Sequence, residues 1–348
     1  MTVRLSFFPG EEISLEEMKM KKILSLICAL CLLFTLAACG QSAPASSAAP
    51  AAAQSDKVFN VGVCQLVQHP ALDLATQGFC DKLSELLGER VNITVQNGAG
   101  DQPSCAVIAS QFVSDEVDLI MANATPALIA AAGATNAIPI LGTSITAYAA
   151  AFEIDEWEGR SVAKNVSGTS DLAPLDEQAA MLHDFFPDAK TVGILYCNAE
   201  ANSRFQVETI TPLLEAFGYT VKNFEFSDSN DVAAVTTSAV GECDVLYIPT
   251  DNTAASCAEA INNVALPAGV PIIAGEAGLC SGCGVATLSI DYYDIGVKTA
   301  EMAFEILVNG ADVSAMEIAY APVFTKMFNP DICKTLGIEV PDDFVAIG

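Results

Sequence analysis

The sequence predicts an α/β protein built from two doubly wound, parallel-sheet lobes that share a hinge. Three observations carry that expectation. Apolar, β-branched runs alternate with helix-like stretches, the pattern of βαβ units. The alternation runs through two rounds of similar length. The segment after Ile290 starts no third round, so its elements are left to be shared between two finished lobes and to form a cleft between them.

The first round has strand-like runs at 58–67, 91–96, 119–122 and 138–141. Helical stretches fall between them at 71–87, 104–114 and 126–132. The second round has runs at 191–196, 220–226, 244–249, 271–274 and 284–290, with helices near 203–216, 231–240 and 254–264. The amphipathic stretch around His183 is a further helix, with His183 on its surface or boundary. A helix over 292–308 then ends at Asn309-Gly310, residues suited to a C-cap. Two short extended pieces, 315–322 and 323–328, and a terminal turn of helix follow. On this pattern one lobe takes residues 58–170 with about 291–320, and the other takes 171–290 with about 321–348.

Ahead of the lobes, the basic Lys21-Lys22 precedes an apolar run that ends in Leu36-Ala37-Ala38-Cys39. Basic, apolar and small-residue regions in that order make an export signal. A cysteine at the cut resembles a bacterial lipobox, and a doubly acylated cysteine is a stable two-chain anchor. The apolar stretch from Ile23 to Ala38 falls short of the ~20 residues that a spanning helix needs. Residues 1–38 are therefore expected to be an upstream extension plus signal peptide, removed when Cys39 is lipidated. The acidic first seventeen residues fit no export logic, and Met18 or Met20 is the expected initiator. Residues 39–57 are an Ala/Ser/Pro-rich flexible spacer.

The chain has 15 Lys and Arg against 43 Asp and Glu, a formal net charge of −28. Nucleic-acid binding needs clustered basic residues and is excluded. Nine cysteines follow Cys39, mostly in apolar strand contexts where a thiol packs as a small hydrophobe. The lone Cys280-Ser281-Gly282-Cys283 has neither a partner pair nor a nearby histidine, so no metal is expected and no cofactor is called for.

In open parallel sheets ligands bind beyond the carboxyl ends of the strands. The residues there are small hydroxyls, amides and a few acids. The first lobe offers His69, Thr125, Thr143 and Ser144. The second offers Asn202, Ser203, Asp251, Asn252 and Glu276. Hydroxyls and helix-start N–H groups suit a carboxylate, and Asp251 and Glu276 suit an ammonium. Such a cleft fits a zwitterion such as an amino acid. Ser203, Thr125 and Thr253 also stand where N-caps are expected. Catalysis has little support: there are only two histidines, no GxSxG beside a candidate base and no phosphate-binding loop.

Specific stretches carry a resemblance. They include Gln65-Leu66-Val67-Gln68-His69-Pro70-Ala71-Leu72-Asp73, Asn97 to Asp101, Ala124-Thr125-Pro126-Ala127 and Asn165-Val166-Ser167-Gly168. Glu200-Ala201-Asn202-Ser203, Tyr247-Ile248-Pro249-Thr250-Asp251-Asn252 and Asp291-Tyr292 with Gly296 complete the set. The chain resembles the substrate-binding lipoproteins of ABC importers, in the group that includes tryptophan/tyrosine-type binding proteins. The resemblance implies a type I periplasmic-binding-protein fold whose lobes close on a small ligand by hinge motion. It implies ligand contacts at Thr125, Asn202, Ser203, Asp251 and Asn252, with His69 on the cleft rim. Members often carry Asp-Pro in the loop where this chain has Ser144-Ile145. Phe79, Tyr148 and Phe152 are the aromatics on which a bulky ligand would stack.

The expected function is thus that of a monomeric, non-enzymatic solute-binding lipoprotein. It would be held on the extracytoplasmic face of the membrane and deliver an amino acid, aromatic or not, to an ABC permease and its ATPase. A nucleoside or other small polar solute is the alternative ligand, and a surface-anchored hydrolase the alternative class.

Overall fold

The computed structural model describes residues 57–347 apart from 156, 158 and 160–163; the lipobox, Cys39 and most of the spacer lie outside the described residues. The first sheet is built on β1 (Phe59–Gln65), β2 (Val91–Asn97), β3 (Leu119–Asn123), β4 (Ile140–Ile145) and β5 (Val166–Ser170). Helices α1 (Pro70–Leu87), α2 (Gln102–Ser114) and α3 (Thr125–Ala134) connect the first four strands, and the short α4 (Tyr148–Ala151) follows β4. The chain then crosses to the second lobe. There α5 (Leu175–Phe185) leads into β6 (Thr191–Cys197), α6 (Ala201–Ala216), β7 (Thr220–Phe226), α7 (Val232–Val240) and β8 (Val245–Ile248). Two helices, α8 (Asn252–Ser256) and α9 (Ala258–Ala268), precede β9 (Ile272–Ala274), α10 (Ala277–Cys283) and β10 (Ala286–Ser289).

From β10 the chain returns to the first lobe as α11 (Tyr292–Leu307) and β11 (Ala319–Tyr320), which pairs with β5. It crosses once more for β12 (Thr325–Phe328), α12 (Pro330–Leu336) and β13 (Val345–Ala346). The leftover elements are divided between the sheets, so three chain crossings form the hinge.

The sheet orders are β11-β5-β4-β3-β1-β2 and β13-β12-β10-β9-β8-β6-β7. Each contains the same doubly wound five-strand order, and every pair in that core is parallel. The added β12 pairs antiparallel with β10, and β13 lies parallel to β12. The order reverses between β1 and β3 and between β6 and β8. A crevice therefore opens at the carboxyl ends of those four strands.

The strands read as continuous apolar runs because helices cover both faces of each sheet. Ile120 and Ala122 pack to one side of the first sheet, and Leu119 and Met121 to the other. In the second, Leu246 and Ile248 face one core and Val245 and Tyr247 the other. The first lobe also needs α11 laid tightly on α1. A Cβ at Gly296 would come within 2.1 Å of the Ala75 carbonyl oxygen, and one at Gly78 within 2.1 Å of the Tyr293 carbonyl oxygen. Only glycine lets the two helices approach so closely.

Three local expectations are corrected. The stretch 254–264 is not one helix but two, broken at Cys257. The extended piece 315–322 shrinks to the two residues of β11 after a short turn of 3₁₀-helix. Strand β5, Val-Ser-Gly-Thr-Ser, gave no strand signal because its side chains are mostly polar. It is nonetheless wholly buried, its hydroxyls satisfied by bonds to Met316 O, Thr143, Thr299 and Thr146 O. The nine described cysteines are free thiols, and Cys280 and Cys283 are buried along α10.

Candidate functional site

Strand β1 ends at Gln65, and its amide organises the loop beyond it. Gln65 Nε2 donates to Val67 O and to Asp73 Oδ1, while Thr76 Oγ1 donates to Gln65 Oε1. Asn123, at the end of β3, donates from Nδ2 to Leu72 O and Thr76 Oγ1. This network pins the start of α1, where extended His69 precedes Pro70. His69 is buried, and its Nε2 lies 3.3 Å from Asn252 Oδ1 on the opposite lobe. Burial pulls the imidazole pKa below its usual value, although Glu200 and Asp73 push the other way.

The second lobe answers with two carboxylates at the ends of β6 and β8. Glu200 precedes α6 and accepts from Asn202 Nδ2, Asn252 N and Nδ2, and Thr253 N and Oγ1. Asp251 caps α8 through Ala254 N and also accepts from Cys197 N and Ser203 Oγ, each at 2.7–2.8 Å. Burial, then the neighbouring Glu200, raises the Asp251 pKa to about 7. The helix caps are thus Glu200, Ala124 and Asp251, not Ser203, Thr125 and Thr253, which stand inside the helices.

Glu276, after β9, is likewise turned inward as the cap of α10, accepting from Gly278 N and Leu279 N. Burial lifts its pKa to about 7, and the charge of Asp171 adds to the rise. Asp171 went unrecognised in the sequence because it follows the unread strand β5. It sits at the first chain crossing and accepts from Thr146 Oγ1 at 3.1 Å and from Tyr292 Oη at 3.0 Å. It therefore ties the first crossing to the second. Burial raises its pKa to about 6 against the pull of those two hydroxyls.

In the first lobe the backbone is bent to present its polar groups. Along β4, Gly142 pairs with Gly168 and Ile145 with Ser170, so β4 carries one extra residue in a bulge. Bulges of this kind re-aim side chains. Within it Ser144 has φ 55°, and after β3 Ala124 has φ 90°, both conformations that L-residues rarely adopt. Such strain clusters at ligand sites. Thr143, next to Ser144, is already paired: its hydroxyl accepts from Thr169 Oγ1, itself bonded to Thr299 on α11.

Among the described residues, six buried side-chain polar atoms lack a hydrogen-bond partner. Four belong to residues singled out in the sequence: His69 Nδ1, Thr125 Oγ1, Ser144 Oγ and Asn202 Oδ1. A fifth, Asn123 Oδ1, is the residue before Ala124. Buried polar groups are normally paired, so unpaired ones following strands of both lobes are candidates to meet a polar guest. A cavity of about 500 Å³, which none of these residues lines, is bordered by Leu66, Val67 and Pro126 from one lobe and by Cys197, Glu200 and Thr253 from the other. The three aromatics considered for stacking are placed differently. Phe79 and Tyr148 are buried in the first lobe's core, and Phe152 is half-buried against it.

The profile of the family described as "ABC transporter substrate binding protein" matches residues 60–347. This chain belongs to that family. It is accordingly a substrate-binding protein and not an enzyme, with the two-lobed type I fold. A tyrosine-binding protein of Clostridioides difficile is 37% identical over 327 residues, which span 92% of this chain and 94% of that one. A Streptococcus pneumoniae ABC domain solved with L-Trp is 31% identical, with a TM-score of 0.78, covering 82% of this chain and 97% of that one. A ligand-free, open substrate-binding protein with adhesive properties from Clostridium difficile is 38% identical, covering 83% and 99%, yet its TM-score is only 0.62. The less identical, ligand-bound structure superposes better. The present arrangement is therefore nearer to that of the L-Trp-bound relative than to that of the open one, and the two lobes touch through the His69–Asn252 bond. A Cβ on Gly278 of the second lobe would likewise lie only 3.1 Å from Pro70 Cβ of the first.

Proposed function

We propose that this protein is the capture subunit of an ABC importer, held outside the cytoplasm by lipid on Cys39, and that it takes an aromatic amino acid, tyrosine or tryptophan, into the interlobe cleft. The observation that carries the reading is the set of unpartnered atoms on His69, Thr125, Ser144 and Asn202, enclosed at strand ends of both lobes. A ligand that satisfies them is polar, small and bound by both lobes at once, so its binding energy favours closure. The relatives that bind tyrosine or are solved with L-Trp support the choice of ligand class.

Within this reading the hydroxyls of Thr125 and Ser144 take the ligand carboxylate, and Glu276 with Asp171 draws the ammonium. Asp251 and Asn252, with Ser203, hold the second wall in shape, since their own bonds already occupy them. The closed form then docks as a monomer on its permease, whose ATPase drives release.

The reading is tested by a thermal-shift screen against the twenty amino acids and a set of nucleosides. A ligand bound to the native state raises Tm by mass action. Tyrosine or tryptophan should give the largest rise, and a rise with nucleosides alone would overturn the assignment. Anchoring is tested separately: Cys39→Ala should release the protein from the membrane fraction.

A further inference from the structure

The bonds around His69 fix which of its ring nitrogens carries the hydrogen. Glu200 Oε2 accepts from Asn252 N at 3.2 Å and from Asn202 Nδ2 at 3.0 Å, so it faces Asn252 as an acceptor. Its third bond, at 2.6 Å, must therefore be filled by the Asn252 NH2 group, and Asn252 Oδ1 is left pointing the other way, at His69. An amide oxygen only accepts, so His69 Nε2 carries the hydrogen and donates across the cleft. Burial disfavours a second proton on the ring. Nδ1 then holds a bare lone pair. It is buried, and no group of the protein donates to it.

We propose that His69 is a fixed hydrogen-bond acceptor that reads a donor on the ligand's side chain, so that tyrosine and tryptophan are selected over phenylalanine. The inference rests on the amino-acid reading above and makes it narrower. The lone pair of a neutral imidazole suits a neutral O–H or N–H. The ligand's ammonium has the buried carboxylates Asp171 and Glu276 to turn to. A phenolic hydroxyl or an indole N–H supplies the missing donor, whereas a phenyl ring leaves Nδ1 desolvated and unpaired. Sites built to bond a polar group reject the analogue that lacks it much more strongly than sites that only measure size.

Isothermal titration calorimetry on the purified full chain tests this with tyrosine, tryptophan and phenylalanine. Tyrosine and tryptophan should bind roughly 10- to 100-fold more tightly than phenylalanine, the penalty of one buried acceptor left without its donor. His69→Leu should weaken tyrosine binding and abolish the preference over phenylalanine. Ring-nitrogen NMR shifts of His69 give a readout independent of folding losses in that variant. They should show hydrogen on Nε2 and none on Nδ1 in the free protein, with the Nδ1 signal moving on tyrosine but not on phenylalanine addition. Equal affinity for tyrosine and phenylalanine, or hydrogen found on Nδ1, overturns the inference and leaves the amino-acid reading standing. Failure of all three aromatic amino acids to bind overturns both.

Discussion

At the carboxyl ends of β6 and β8, the second lobe buries two carboxylates whose oxygens are filled: Glu200 by five donors and Asp251 by three. At the ends of β3 and β4, the first lobe buries two hydroxyls, Thr125 and Ser144, that meet no partner, beside backbone at φ 90° and 55°. The lobes share a strand order, so the contrast does not come from topology. The second wall is satisfied internally apart from Asn202 Oδ1, whereas both first-wall hydroxyls are left open, which the proposed ligand would complete. A binding protein that must close and reopen gains from this division, since the finished wall holds its shape in both states while the unfinished one rewards closure.

Breaking the finished wall should have the largest effect. Glu200→Ala leaves the Asn252 N–H and side-chain amide and the Thr253 N–H without an acceptor, while Asn202 Nδ2 keeps Thr250 O. We expect a loss of roughly 3–5 kcal/mol, from several buried donors left unsatisfied at about 1–3 kcal/mol each, measured by urea denaturation. It should also abolish ligand binding, because Asn252 and His69 are no longer oriented. A stability close to the parent's would mean that the second wall is not self-supporting.

Next comes the frame of the unfinished wall. Gly296→Ala forces a methyl against the Ala75 carbonyl, backbone that cannot swing away. The expected cost is about 1–3 kcal/mol, again read by denaturation. Ligand affinity should change much less than in Glu200→Ala, since Gly296 packs against Ala75 and Phe79 of α1 rather than against the candidate site residues.

The hinge carboxylate distinguishes the walls by pH. Asp171 has a folded pKa of about 6, raised by burial from an ordinary 3.8. A raised acid binds its proton more tightly in the folded state. Its contribution to stability is therefore fully present below pH 4 and lost as pH climbs through about 6. Asp251 and Glu276, at about 7, act in the same direction. The Tm of the ligand-free protein should fall as pH rises from about 4 to 7. Asp171→Asn should flatten part of that slope, because both donors to it are hydroxyls that can rotate to suit an amide. A slope unchanged in the variant would remove Asp171 from the account.

The sequence made the sheets legible because doubly covered parallel strands must be apolar on both faces, as in Leu119–Ala122 and Val245–Ile248. It hid β5, whose Ser167, Thr169 and Ser170 are bonded inside the fold by partners more than twenty residues away. With β5 went Asp171. The strand-end rule picked loops by position alone, and it could not say which of their polar groups were already used. Thr143 turned out to be bonded to Thr169, while Ser144 beside it is unpaired. Asp251, read as a partner for the ligand's ammonium, turned out to be filled by a cap and two cross-loop donors. Glu200 did have a local signal, an acid just before a helix start, yet its five partners come from two loops that only the fold brings together.

The smallest expected effect tests whether the first wall is strained at all. Ala124 holds φ 90° and ψ 154°, a region that belongs almost wholly to glycine and costs other residues about 1–3 kcal/mol. Ala124→Gly removes that strain. Against it stand a buried methyl worth about 0.8 kcal/mol and the greater freedom of an unfolded glycine, about 0.5–1 kcal/mol. The terms nearly cancel, so the variant should fall between a loss of about 0.8 and a gain of about 1.7 kcal/mol, whereas an ordinary buried alanine changed to glycine would lose about 1.3–1.8 kcal/mol. A loss of that ordinary size would show that the loop carries no strain. Parity or a gain, with ligand affinity kept, would place the cost of the unfinished wall in its backbone as well as in its unpaired hydroxyls.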